Sequence, residues 1–162
     1  MSVGKANEDI IFDWLKNDFK AKEIIDFREF RLAQRIDVDC GIETIDGGIV
    51  LAEIKSDKYI SEAGNLLFEN HRINHYVDDK WFYLGWGWRS PAQKLIIRNP
   101  KTNEVFIFDF MKLRRFVGFW VGENGKRCNM SIVETDEQKT TFNYLIPFKE
   151  ITVNYKKYIV NG

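Results

Sequence analysis

Glu53 and Lys55 close a run, Ile49-Val50-Leu51-Ala52-Glu53-Ile54-Lys55, that is otherwise apolar. Alternate residues of a strand share a face, and an apolar run of this kind suits a strand buried on both faces. Two charges on one side of such a strand are costly unless they pair or hold something. One reading is a strand end reaching solvent, where Glu53 and Lys55 form a weak surface pair. The other reading makes them a site. Two carboxylates converging on one point hold Mg²⁺, a hard cation that takes oxygen ligands and keeps several waters; Mn²⁺ is the substitute. A lysine beside that water orients it and adds positive charge where negative charge develops. The combination suits hydrolysis of a phosphodiester. Asp39, Glu53 and Lys55 are then the catalytic residues, and Asp37, Asp39 and Glu53 the metal ligands.

Whether the aspartates can reach Glu53 depends on one loop. Ile36, Val38, Cys40 and Ile42 alternate with Asp37, Asp39, Gly41 and Glu43, a period of two that predicts a strand. Asp46-Gly47-Gly48 follows as a turn. A three-residue turn over these positions sets Gly41 opposite Glu53 and Asp39 opposite Lys55, with both aspartates on the Glu53 face. A two-residue turn slips the register by one and sends both aspartates to the other face.

A carboxylate strand, a hairpin and a terminal Glu-x-Lys resemble the PD-(D/E)xK nuclease superfamily. The resemblance covers roughly residues 7 to 110. It implies a restriction-endonuclease-like α/β fold, a mixed central sheet flanked by helices, here with extra C-terminal β elements. It also implies a Mg²⁺-dependent endonuclease acting on double-stranded or branched DNA, working as a homodimer. The superfamily's aspartate maps onto Asp39, with Asp37 as the alternative, and its Glu-x-Lys onto Glu53 and Lys55. Glu8 is the candidate for the acidic residue that many members carry on the first helix. Asp57, Gly64-Asn65 and Glu69 are similar to a stretch of phage-type members. No proline precedes either aspartate. The competing expectation is a catalytically silent nucleic-acid-binding or assembly module of the same fold.

The remaining elements frame this core. Asn7 to Lys22 reads as a helix, with Ile10, Ile11, Trp14, Leu15 and Phe19 at helical spacing and Asn7 as N-cap. Ile24 to Leu32 suits a strand, and Asn65 to Phe68 a short one. Ser90-Pro91 predicts a helix start. Leu95 to Ile97 and Val105 to Phe108 predict strands joined across Asn99 to Asn103. Phe110 to Val117 reads as a short basic helix whose Lys112, Arg114 and Arg115 are candidates for phosphate contact. Strands are expected at Phe142 to Ile146 and Ile151 to Val153. One domain spans residues 1 to 162, a core to about 110 and an extension beyond it.

Two further clusters have competing readings. His71 and His75 stand four apart, a helical metal spacing, yet no third ligand is near and a polar loop fits better. Trp81, Phe82, Tyr83, Trp86 and Trp88 suit a core or subunit interface, or stacking on exposed bases.

Composition sets the outer limits. Twenty-four basic and 24 acidic side chains give zero net charge, which argues against coating nucleic acid by charge alone. Cys40 and Cys128 lack metal-ligand spacing and are expected as reduced thiols. No run approaches the roughly 18 apolar residues of a membrane span, and the charged N-terminus does not look like a signal core. A cytoplasmic protein is the expectation, with phage or mobile-element coding compatible with it and no membrane partner.

Overall fold

The computed structural model describes residues 3–19, 21–74, 81–125, 129–136 and 139–160. In chain order the elements are helix α1 (Val3–Asn17), β1 (Glu23–Asp26), helix α2 (Arg31–Arg35), β2 (Cys40–Glu43), β3 (Ile49–Ser56) and helix α3 (Tyr59–Glu62). Then come β4 (Asn65–Asn74), β5 (Trp81–Leu84), helix α4 (Trp86–Arg89), β6 (Lys94–Asn99) and β7 (Glu104–Asp109). The chain finishes with helix α5 (Phe110–Asn124), β8 (Met130–Asp136), β9 (Lys139–Pro147), a 3-10 turn (Phe148–Glu150) and β10 (Tyr155–Ile159).

A six-stranded sheet in the order β1-β2-β3-β6-β7-β10 carries the core, and β3 and β6 are its parallel pair. The fold is therefore α/β, with a mixed sheet flanked by helices. Alternation along each strand divides the core into two layers. Ala52, Ile54, Ile96 and Val105 face one side and pack on Ile11, Trp14 and Leu15 of α1. Leu95, Ile97, Phe106 and Phe108 face the other side and pack on Leu113 and Val117 of α5. That second layer also takes in Leu66, Phe68 and Ile146 from a four-stranded sheet, β5-β4-β9-β8. Strand β3 is buried on both faces as its apolar run predicts, with Ala52, Glu53 and Ile54 all buried.

Several boundaries differ from the expectations, for physical reasons. Helix α1 begins before Asn7 and ends at Asn17, so Asn7 is interior and not a cap. The strand expected over Ile24 to Leu32 stops at Asp26, where the carboxylate accepts the N–H groups of Arg28. Helix α2 follows, with no buried residue. Ile36 caps that helix and is exposed, so the alternating run becomes a strand only from Cys40. Ser90 ends helix α4 instead of starting a helix. Its hydroxyl donates to the Asp37 carbonyl and accepts the Ala92 N–H at 3.2 Å, which turns the chain into β6. Strand β4 continues to Asn74, so His71 belongs to a strand and stacks on Phe142 at 4.2 Å. His75 lies outside the described residues, as does Cys128. The stretch Ile151 to Val153 is irregular, and the last strand is β10. Strands β6 and β7 and their turn match expectation. Among the described residues, no helix is long and apolar enough to cross a membrane.

Candidate active site

The β2–β3 hairpin sets the site. Thr44 and Gly48 close its loop, with Thr44 N–H donating to the Gly48 carbonyl at 2.8 Å. The loop is thus Ile45-Asp46-Gly47, three residues as expected but one position earlier. Gly47 sits at φ +83°, in the left-handed region that such a loop requires. Moving a loop by one position moves the register by two, so Cys40 faces Ala52 and Gly41 faces Leu51. Within the paired residues Cys40–Glu43 the expected faces survive, because two is the side-chain period. The partner changes: Gly41 no longer faces Glu53, and the ladder ends at Cys40 opposite Ala52, with Asp39 just outside it.

Asp39 is fixed by its own backbone and side chain. Its N–H donates to the Ala52 carbonyl at 3.0 Å, and its carbonyl accepts the Phe27 N–H at 2.9 Å. Its Oδ2 accepts the Ile54 N–H at 2.7 Å. The carboxylate therefore supplies a rung to β3 just beyond the β2 ladder.

Glu53 is only 1% exposed. Its Oε1 contacts Lys55 Nζ, and its Oε2 is buried with no hydrogen-bond partner. Burial pushes the Glu53 carboxyl up to about 8; Lys55 opposes this, and Asp39 and Asp37 add to it. Burial works against the Lys55 ammonium, but Glu53, Asp39 and Asp37 outweigh it and hold its pKa above the ordinary range. The Lys55 ammonium also lies 5.6 Å from the Trp86 ring centroid.

Asp37 goes elsewhere. It adopts φ +54°, and its Oδ2 accepts from Arg89 Nε at 2.7 Å and from Arg89 Nη2. Asp39, Glu53 and Lys55 come together, while Asp37 contributes charge from behind an ion pair. Among the described residues, no group of three or more histidine, cysteine or carboxylate side chains is spaced to hold a metal ion. What remains is a pair of carboxylates from adjacent strands, one with an unpartnered buried oxygen. That donor set fits a hard divalent cation that retains most of its waters.

Helix α4 is the part of the site that sequence reading missed. It brings Trp86 to Lys55 and Arg89 to Asp37. Glu69 Oε1 accepts the Trp86 N–H at 3.3 Å. Arg114 Nε donates to the Gly87 carbonyl at 2.6 Å, and its Nη2 to the Ser90 carbonyl. Arg114, one of the three expected phosphate contacts, is thus committed to holding α4 and lies 3.8 Å over the Phe110 ring. Lys112 and Arg115 are exposed. The tryptophans serve as core: Trp86 packs on Phe68 and Phe110, and Trp88 on Phe68. The side chains of Trp81 and Phe82 lie outside the description. The signal for α4 was its glycines. A Cβ on Gly85 would stand 2.4 Å from the Glu69 carbonyl oxygen, and one on Gly87 2.3 Å from the Phe68 ring.

No protein-family model matches the chain. No curated protein and no solved structure matches it either.

The other acidic candidates divide clearly. Burial raises the Glu8 carboxyl; Asp39 raises it further, while Lys55 and Arg28 lower it. Glu8 therefore borders the site electrostatically, with Arg28 Nη1 at 3.9 Å from its Oε2. Asp57 is structural, since its two oxygens accept the Tyr59 N–H at 2.8 Å and the Leu67 N–H at 2.9 Å. Glu69 is likewise engaged, by Trp86 and by Arg72 at 3.0 Å.

Proposed function

We propose that this chain is a metal-dependent endonuclease of the PD-(D/E)xK kind, hydrolysing phosphodiester bonds in double-stranded or branched DNA, with two copies supplying the two cuts. One observation carries the proposal: the buried Glu53 carboxylate has an unpartnered Oε2, contacts Lys55 through Oε1 and feels the charge of Asp39. A carboxylate buried this deeply is costly unless its charge is met. Lys55 meets one oxygen and leaves the other.

In this reading Asp39 and Glu53 hold Mg²⁺, or Mn²⁺ in its place. The bound ion supplies charge neutralisation at the phosphate and a water of lowered pKa. Asp39 is positioned for its part because Oδ2 is pinned to Ile54 N–H and cannot swing away. Lys55 orients the attacking water and offers its ammonium to the phosphate oxygens as their charge grows. Trp86 limits the space open to that ammonium, and Arg89 keeps the Asp37 charge from competing for it.

The decisive experiment incubates the full chain with supercoiled, linear and four-way-junction DNA, in Mg²⁺ or in EDTA. Glu53→Gln and Lys55→Ala are run alongside. Cleavage should require Mg²⁺ and fall on the order of a hundredfold or more in each variant. Equal cleavage by all three proteins would overturn the mechanism.

The contact between Glu53 and Lys55 favours a second reading. An ion pair closed on itself needs no metal, and the fold would then serve as a nucleic-acid-binding or assembly module. Mn²⁺ titration followed by electron paramagnetic resonance separates the two: a silent module takes up no ion at Glu53.

A further inference from the structure

The sheet face under α1 is only partly covered. Fifteen helical residues reach about 22 Å, and past the helix's C-terminal end a cavity of about 400 Å³ opens. Leu15 and Phe19 form its edge, and Ile42, Val50, Ile96 and Ile107 from four adjacent strands form its floor. Lys94, Lys112 and Lys156 stand around it. The lysine ion pairs among the described residues use Lys22, Lys55, Lys101 and Lys157 instead.

Lys94 is the informative one. It is half-buried on the inner face of the sheet, directly across from Asp109 in the β6–β7 register. Asp109 also lines the cavity, where its Oδ1 caps α5 by accepting the Lys112 N–H at 3.1 Å. A cavity with an apolar floor thus carries three lysines, Lys94, Lys112 and Lys156, against the one Asp109 carboxylate. An anion placed there would offset the desolvation of the ammonium.

We propose that this cavity binds an amphipathic organic anion, with an alkyl or aryl body on the isoleucine and valine floor and a carboxylate or phosphate head at Lys94. Its volume lies within the usual span of small-molecule pockets. A nucleic-acid duplex offers no apolar body to cover this floor. Asp39, Glu53 and Lys55 take no part in the lining, so the site stands apart from the nuclease reading.

The test is calorimetric titration of the full chain with octanoate, octyl phosphate and the uncharged octyl glucoside. Lys94→Gln, Val50→Trp and the exposed control Lys149→Gln, which is not part of the lining, are titrated in parallel. At least one anion should bind about tenfold more tightly than the glucoside. Lys94→Gln should erase that preference, Val50→Trp should block binding, and Lys149→Gln should change nothing. The better-bound head distinguishes a carboxylate ligand from a phosphate one. Equal binding of all three amphiphiles, no binding of either anion, or an unchanged preference in Lys94→Gln would overturn the proposal. So would self-association in sedimentation that Val50→Trp abolishes, since a second copy would then own this face. Melting curves check that the variants fold, and Lys94→Gln alone decides if Val50→Trp does not.

Discussion

Replacing Asp39 by asparagine and by alanine asks two different things of strand β3. Asparagine keeps an oxygen for the Ile54 N–H and loses the charge. Alanine leaves that buried N–H unpaired, which costs about 1–3 kcal/mol. Asp39→Ala should therefore melt several degrees lower and Asp39→Asn close to wild type, while both lose cleavage; equal melting of the two would remove the rung assigned to Oδ2. Glu53 makes a prediction about pH. Its folded carboxyl is raised to about 8 from an ordinary 4.5 in the metal-free protein, so the folded chain holds this proton more tightly than the unfolded one. The stability it contributes is full below pH 4.5 and is lost as the pH rises through about 8. In EDTA, Glu53→Gln should gain about 1–2 kcal/mol over wild type at alkaline pH and nothing at acid pH. A variant that melts with wild type across the whole range would show that the Glu53 charge is already satisfied. Cys40 gives a simpler case. Burial pushes its thiol up to about 12, so peptide mapping after alkylation near neutrality should find Cys40 unmodified until the chain is denatured.

At the scale of elements, helix α4 is the support on which the proposed chemistry rests. A methyl group at Gly87 would meet the Phe68 ring at 2.3 Å and the Glu69 carbonyl at 2.7 Å. Gly87→Ala should cost about 1–3 kcal/mol and, by shifting Trp86 and Arg89, impair cleavage in the fraction that remains folded. Unchanged melting and cleavage would mean that α4 yields without consequence. Helix α4 also marks where the sequence stopped being readable. The hairpin was legible because its alternation and its Asp-Gly-Gly turn are local, and local patterns fix which face each residue takes. The exact partner was not, because Ile45-Asp46-Gly47 and Asp46-Gly47-Gly48 are both acceptable three-residue loops. Asp37 and Arg89 meet across 52 positions of chain, and no periodicity announces such a contact. Ser90-Pro91 has the residues of a helix start, yet the hydroxyl is taken by the Asp37 carbonyl, a tertiary demand that overrides local preference. The tryptophans were legible as core material but not as the wall of a site.

For the molecule as a whole, the last third is packed into the core. Strand β10 pairs with β7, β9 pairs with β4, and Val160 is buried in the α1 layer. A chain ending at Phe110 would leave β4 and β7 with open edges and remove Leu113, Val117 and Ile146 from the second layer. Such a chain should give the collapsed amide spectrum of an unfolded protein, and the full chain a single cooperative transition. A folded fragment with dispersed resonances would show that the part up to about residue 110 stands without the rest.

Asp39 is a rung of the sheet and, in the function proposed above, also a ligand, and the two duties have different chemical requirements. Asparagine satisfies the first and fails the second, and a single nucleotide change converts one codon into the other. A lineage could therefore shed the reaction in one mutational step while its fold, and whatever surfaces that fold presents, passed to its descendants intact. In any relative of this chain, the residue at this one position would tell a working copy from a retired one.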